Sequence, residues 1–193
     1  MKVAIIKYNA GNVRSIEFAL NRLGIVPVIT DEPGELLSAD KIIFPGVGEA
    51  GSAMTYLRER KLDEVIRNLR QPLLGICLGM QLLCEYSEES ETVCLGIFRQ
   101  AVKRFPAGRK VPQIGWNRIN GQSDQLFAGL IKSEYMYFVH GYYAGMSEET
   151  IATTEYGFEY SSALKRNNFY GVQFHPEKSG ASGQIILENF LKI

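Results

Sequence analysis

Apolar and polar positions along this chain switch between a two-residue and a helical period. "KVAIIKY" (2–8) is a β-rich run followed by the turn-forming "NAGN". In "VRSIEFALNRLG", Val13, Ile16, Leu20 and Leu23 then recur at helical spacing as far as Gly24. "IVPVIT" predicts a second strand, "DKIIFPG" (40–46) a third, and "QPLLGIC" a fourth, with a helical stretch from about Ala53 to Leu69 before the fourth. Such alternation predicts a parallel sheet covered on both faces, because parallel neighbours need crossover connections. In such sheets ligands gather where the strands end. The second half changes character: "LGIFRQAVKRF", "QIGWNRI", "EYMYFVHGYY", "TIATTEYG", "SSALKRN" and "FYGVQFHPE" are strand-like, with little helix until "GQIILENFLKI". They predict antiparallel strands added to the same sheet. The expected fold is α/β, a mostly parallel sheet flanked by helices with added antiparallel strands, in a single domain over residues 1–193.

The most informative turn joins the fourth strand to the next helix. Gly75-Ile76-Cys77-Leu78-Gly79 is G-x-C-x-G, the thiol counterpart of the nucleophile elbow, where a strand turns at once into a helix and small neighbours relieve the crowding. The sulfur then stands above the strand end, beside the first amides of the helix, where the positive dipole end favours an anion. Taken alone, the pattern fits a buried structural cysteine equally well. "YGVQFHPE" tilts the balance. His175 and Glu177 stand two apart in a strand-like run, so both point to one face, and a carboxylate beside an imidazole fixes its tautomer and stabilises its cation. The other histidine, His140, has no acid nearer than Glu134 and Glu148 along the chain. The residues expected to act are Cys77 as nucleophile, His175 as general base and acid, and Glu177 as its orienter.

"PGVGEAG" carries Gly46-x-Gly48-x-x-Gly51, formally a dinucleotide fingerprint. That match follows the third strand rather than the first, and Pro45 fixes the backbone where the tight turn should begin. The same bare amides suit an oxyanion, so Gly46, Val47 and Gly48 are assigned with the amide of Leu78 to an oxyanion hole, a simple packing turn being the alternative. Gln81, one helical turn beyond Cys77, can reach the same site; Cys84 shares that face and is read as core.

Charge and cysteine content narrow the classes. Lysine plus arginine and aspartate plus glutamate number 21 each, so the basic field that nucleic acid or acidic membranes demand is missing. No segment approaches the roughly 18 apolar residues of a membrane span. Lys7 interrupts the first apolar run before it takes signal-peptide form, and the chain reads as cytosolic. Three cysteines without a C-x-x-C pair fit neither a disulfide framework nor a zinc site. No metal and no cofactor are expected.

Together, "PGVG", "GICLGMQ" and "GVQFHPEKS" resemble the three motifs of the class I, triad-type glutamine amidotransferases, in order and over nearly the whole chain. Within that family, "YNAGN", "KVPQIGWN", "YFVHGYY" and "HPEKS" are most similar to a branch of the histidine pathway. The resemblance implies hydrolysis of L-glutamine to glutamate and ammonia through a thioester on Cys77. It also implies delivery of the ammonia to a (β/α)₈-barrel cyclase partner that makes imidazole glycerol phosphate. By the same resemblance Gln81, Glu89, Gly48 and the backbone of Gly141 and Tyr142 hold glutamine, and Asn12, Trp116, Tyr137 and Lys178 lie at the partner interface. Gln113, Ile114 and Gly141 depart from the family's common pattern, which bears on the interface and on carboxylate binding rather than on the triad. The alternatives are a sugar-pathway or chorismate-using amidotransferase, a dinucleotide-binding oxidoreductase, or a catalytically silent interaction subunit.

Overall fold

The computed structural model describes residues 1–9 and 12–193; Ala10 and Gly11 of the "NAGN" turn lie outside the described residues. In strand β1 (Val3–Ile6), Val3 and Ile5 pack on one face of a sheet and Ala4 and Ile6 on the other, so all four are buried. Helix α1 (Val13–Arg22) covers the first face with Ile16, Ala19 and Leu20. The short α2 (Pro33–Leu37) covers the second with Leu36. Strands β2 (Val28–Thr30), β3 (Lys41–Phe44) and β4 (Leu73–Ile76) match the predicted order. β2 is shorter than "IVPVIT" because Pro27 has no amide to give a ladder. The helix expected over 53–69 is two, α3 (Ala50–Glu59) and α4 (Leu62–Arg67), separated where Lys61 adopts a left-handed φ of 56°. α3 starts early because the Glu49 side chain accepts from the Gly51 and Ser52 amides.

After α5 (Leu78–Leu83) come β5 (Tyr86–Ser87), β6 (Thr92–Val93) and β7 (Ala101–Arg104), then β8 (Gln113–Arg118), β9 (Tyr135–His140) and β10 (Tyr142–Ala144). Strands β11 (Thr150–Glu155), β12 (Glu159–Arg166) and β13 (Phe169–Val172) precede the closing helix α6 (Gly180–Lys192). Among the described residues the main sheet runs β2-β1-β3-β4-β13-β12-β10-β7-β5-β6, with β11 beside β12. Two expectations about the second half need correction. β8 and β9 leave the main sheet and pair with each other. β13 runs parallel to β4 and sits between the parallel and antiparallel halves. Alternation marks a strand's faces but not its partners.

The consequence for function is positional. β1, β3, β4 and β13 are mutually parallel, so the residues following each emerge at one edge: Asn12, Gly46 to Gly48, Cys77, and Gln173 to Glu177.

Candidate active site

Cys77 follows the last residue of β4 directly and takes φ 53°, ψ −110°, a left-handed conformation that a residue with a Cβ adopts only under constraint. The constraint is crowding. A Cβ on Gly79 would stand 2.0 Å from the Phe44 carbonyl oxygen, one on Gly46 would stand 2.1 Å from the Gly79 amide, and one on Gly75 would meet the Met80 amide at 2.8 Å. The turn after β3 and the turn after β4 therefore cross in contact, and only glycine lets them. The buried Tyr8 hydroxyl donates to the Pro45 carbonyl, pinning the first of these turns from the end of β1. Burial, with the charge of the Cys77 sulfur second, pushes the Tyr8 phenol up, so it stays a neutral donor.

The cysteine is 6% exposed and lines a cavity of about 290 Å³ bounded by Gly46, Val47, Gly48, Leu78, Gln81, Glu89, Pro112, Val139, His140, Gly141 and Tyr142. As the first residue of α5, Leu78 has an amide with no acceptor inside its own helix. Gly48 holds φ 124°, a conformation that favours glycine, and lines the same cavity as Leu78. Gln81 is buried rather than solvated. Its Nε2 donates to the Tyr142 carbonyl at 3.0 Å and to Gln173 Oε1 at 2.8 Å, while Gln173 Nε2 lies 3.6 Å from Cys77 Sγ. Glu89 Oε2 accepts from the Ala50 amide at 2.9 Å. Burial and the neighbouring Glu49 charge raise the Glu89 carboxyl against that hydrogen bond. Cys84 is fully buried, as read.

Behind the sulfur stands the acid–imidazole pair. His175 is not in a strand, as its spacing to Glu177 suggested. It caps a short 3₁₀ turn, Pro176–Lys178, and that turn brings Glu177 Oε1 to 2.9 Å from His175 Nδ1. The side chains are 1% and 0% exposed. The His175 amide donates to the Tyr137 carbonyl at 2.9 Å, and Ser179 Oγ ties the His175 carbonyl to the Tyr137 amide, so the turn is bolted to β9. Burial opposes charge on this ring most strongly. Cys77, by charge and hydrogen bonding, and then Glu177 outweigh it and push the imidazole up to about 10. Nε2 has no hydrogen-bond partner of good geometry among the described residues, which leaves it available on the Cys77 side.

The four residues read as interface are contiguous. Asn12 Nδ2 donates to Glu177 Oε1 at 2.7 Å, Lys178 is exposed beside it, and Tyr137 packs edge-on against its cross-strand partner Trp116, which is 56% exposed. Sequence reasoning missed Tyr8, Gln173, Pro112 and Val139. Gln173 had a signal, a polar residue two before His175 in an apolar run; Tyr8 and Val139 act through partners that chain order does not reveal.

The Glutamine amidotransferase class-I family profile matches residues 5–193, and the chain belongs to the class-I glutamine amidotransferases. It is an enzyme of that class. It is 54% identical to the imidazole glycerol phosphate synthase subunit HisH of Bacteroides fragilis, with 100% of both chains covered. Against the protein of the same name from Haemophilus influenzae it is 44% identical, over 100% of this chain and 98% of that one. A crystal structure described as glutamine amidotransferase superposes with a TM-score of 0.78 at 22% identity, covering 100% of this chain and 98% of the other, a likeness of fold. No helix among the described residues is long and apolar enough to cross a membrane.

Proposed function

We propose that this chain is the glutaminase subunit of an imidazole glycerol phosphate synthase and that Cys77, His175 and Glu177 are its catalytic triad. The reading is carried by one observation: the cysteine that lines the cavity sits on a strained turn beside a histidine already paired to a buried carboxylate. At about 290 Å³ the cavity lies at the small end of ligand pockets, suited to an amino acid.

The chemistry follows from the geometry. His175 takes the proton of the Cys77 thiol as Sγ attacks the amide carbon of L-glutamine, and the oxygen that gains negative charge is met by amides of the Gly46–Val47–Gly48 turn and of Leu78. The imidazolium of His175, held by Glu177, gives its proton to the leaving nitrogen, and ammonia departs from a γ-glutamyl thioester. Water then attacks the thioester with His175 as base, and glutamate is released. Gln81 and Glu89, with the backbone at Gly141 and Tyr142, hold the amino-acid end. The partner is a (β/α)₈-barrel cyclase that docks over Asn12, Trp116, Tyr137 and Lys178 and takes the ammonia before it protonates in water. The names of relatives at 44 to 54% identity support this branch over sugar-pathway or chorismate-using synthases.

Reconstitution with such a cyclase tests both halves. The pair should form imidazole glycerol phosphate from glutamine. Cys77→Ala should abolish the glutamine-dependent reaction while the ammonia-dependent one and the complex persist. Glutamine hydrolysis surviving in Cys77→Ala would falsify the triad, and a pair inactive with glutamine and ammonia alike would remove the cyclase assignment.

A further inference from the structure

Gln113 and His140 face each other across the β8–β9 pair, and Tyr160 of β12 lies against both. All three are almost completely buried, and Phe105 and Phe138 pack edge-on or tilted against the rings of His140 and Tyr160. The hydrogens of this cluster can be assigned. Burial pushes the His140 imidazole down to about 4, against the raising effect of the Tyr142 carbonyl, so the ring is neutral and carries one N–H. Nδ1 lies 2.6 Å from the Tyr142 carbonyl, which can only accept, so the N–H is there. Nε2 is therefore bare and accepts the Tyr160 hydroxyl hydrogen across 3.2 Å. That hydroxyl has no second hydrogen for Gln113, whose Oε1 lies 3.0 Å away while Nε2 is buried without a partner among the described residues. Turning the carboxamide over gives the hydroxyl oxygen a donor: Gln113 donates to Tyr160, Tyr160 to His140, and His140 to the Tyr142 carbonyl, with the Gln113 oxygen then in the place without a partner.

The Tyr142 carbonyl is also the acceptor for Gln81, and Gln81 in turn meets Gln173, which reaches Cys77. Both N–H groups of Gln81 are thereby committed, which fixes the direction of its remaining oxygen at the cavity wall. An apolar side chain would fill the place of Gln113 among these rings without the cost of burying an amide.

We propose that Gln113, Tyr160 and His140 are positioning residues for glutamine, acting as a neutral relay that sets the Tyr142 carbonyl and through it Gln81. This rests on the reading of the cavity as the glutamine site. The relay starts on the strand whose next residues outward, Ile114 and Trp116, are 58% and 56% exposed, so it ties that face to the substrate wall.

The test uses the full chain and two alkylating agents: an electrophilic chloroketone analogue of glutamine, and iodoacetamide, which lacks the amino-acid portion. Tyr160→Phe and Gln113→Leu should each raise the half-saturating analogue concentration about five- to tenfold, the loss of one neutral hydrogen bond. The limiting alkylation rate and the iodoacetamide rate should stay within twofold. Gln113→His, whose imidazole can also donate to Tyr160, should restore analogue affinity to within twofold of the unaltered chain. Unchanged affinity in both variants, equal slowing with both reagents, or a Gln113→His chain as impaired as Gln113→Leu overturns the relay. If the unaltered chain reacts with iodoacetamide at Cys77 but shows no saturation by the analogue, the glutamine site itself is wrong, and the relay falls with it for that separate reason.

Discussion

The two histidines of this chain are buried alike and behave oppositely. His140 lies among aromatic rings and meets a carbonyl and a phenol, both uncharged, so burial prevails and pushes it down to about 4. His175 suffers a comparable desolvation but faces a sulfur on one side and a buried carboxylate on the other, and is pushed up to about 10. The charge of the partners, and not the depth of burial, decides which imidazole can carry a proton through a reaction.

The comparison breaks first on turnover. His175→Asn should lower glutamine hydrolysis in the assembled complex by about 10²- to 10⁴-fold, the usual worth of general acid–base catalysis, while His140→Asn should cost less than about tenfold, mostly in KM. Glutamate release measured for both variants decides it, and comparable losses would erase the distinction.

Glu177→Gln sharpens it. Removing the carboxylate should reduce turnover on the order of 10²-fold and lower the titration midpoint of the His175 ring, seen by nuclear magnetic resonance of the imidazole. A midpoint that stays high would assign the effect to Cys77 alone.

The smallest effect is on stability against pH. The folded His175 ring holds its proton better than the ordinary value of 6.5, so its contribution is complete below about pH 6.5 and disappears as pH rises toward about 10. Folded His140 holds its proton worse, so its contribution is present above about pH 6.5 and is lost as pH falls through about 4. Glu177→Gln should therefore cost about 1–3 kcal/mol at pH 6 and less at pH 10. His140→Asn should flatten the acid side of the curve, and urea titrations across pH 4 to 10 measure both.

How much of this was legible in the sequence follows from the kind of signal each residue left. Gly75, Cys77 and Gly79 could be read because a strand-to-helix turn has few solutions and all of them need small neighbours. His175 and Glu177 could be paired by proximity, although the pair forms through a 3₁₀ turn and not across a strand face. Glu89 lies in an acidic run, and only family resemblance singled it out; its carboxylate is half-buried at the first amide of α3. Tyr8, Val139 and Tyr160 left the weakest marks, since each works through a neighbour far along the chain. The separation of β8 and β9 from the main sheet was hidden for a related reason: hydropathy records which way a side chain points, while strand pairing depends on turns and on competing partners.

One feature of the topology bears on how the enzyme comes into being. β13 comes after every other described strand in the chain, yet it occupies the middle of the main sheet, and the bond from Asn12 to Glu177 spans 165 positions. Until that late segment slots between its neighbours, Cys77 has neither its imidazole nor the Val172 carbonyl that holds its amide. A growing polypeptide thus holds Cys77 without the neighbours that surround it in the fold, and the pocket is assembled only when the central strand has been made and the two halves have closed around it.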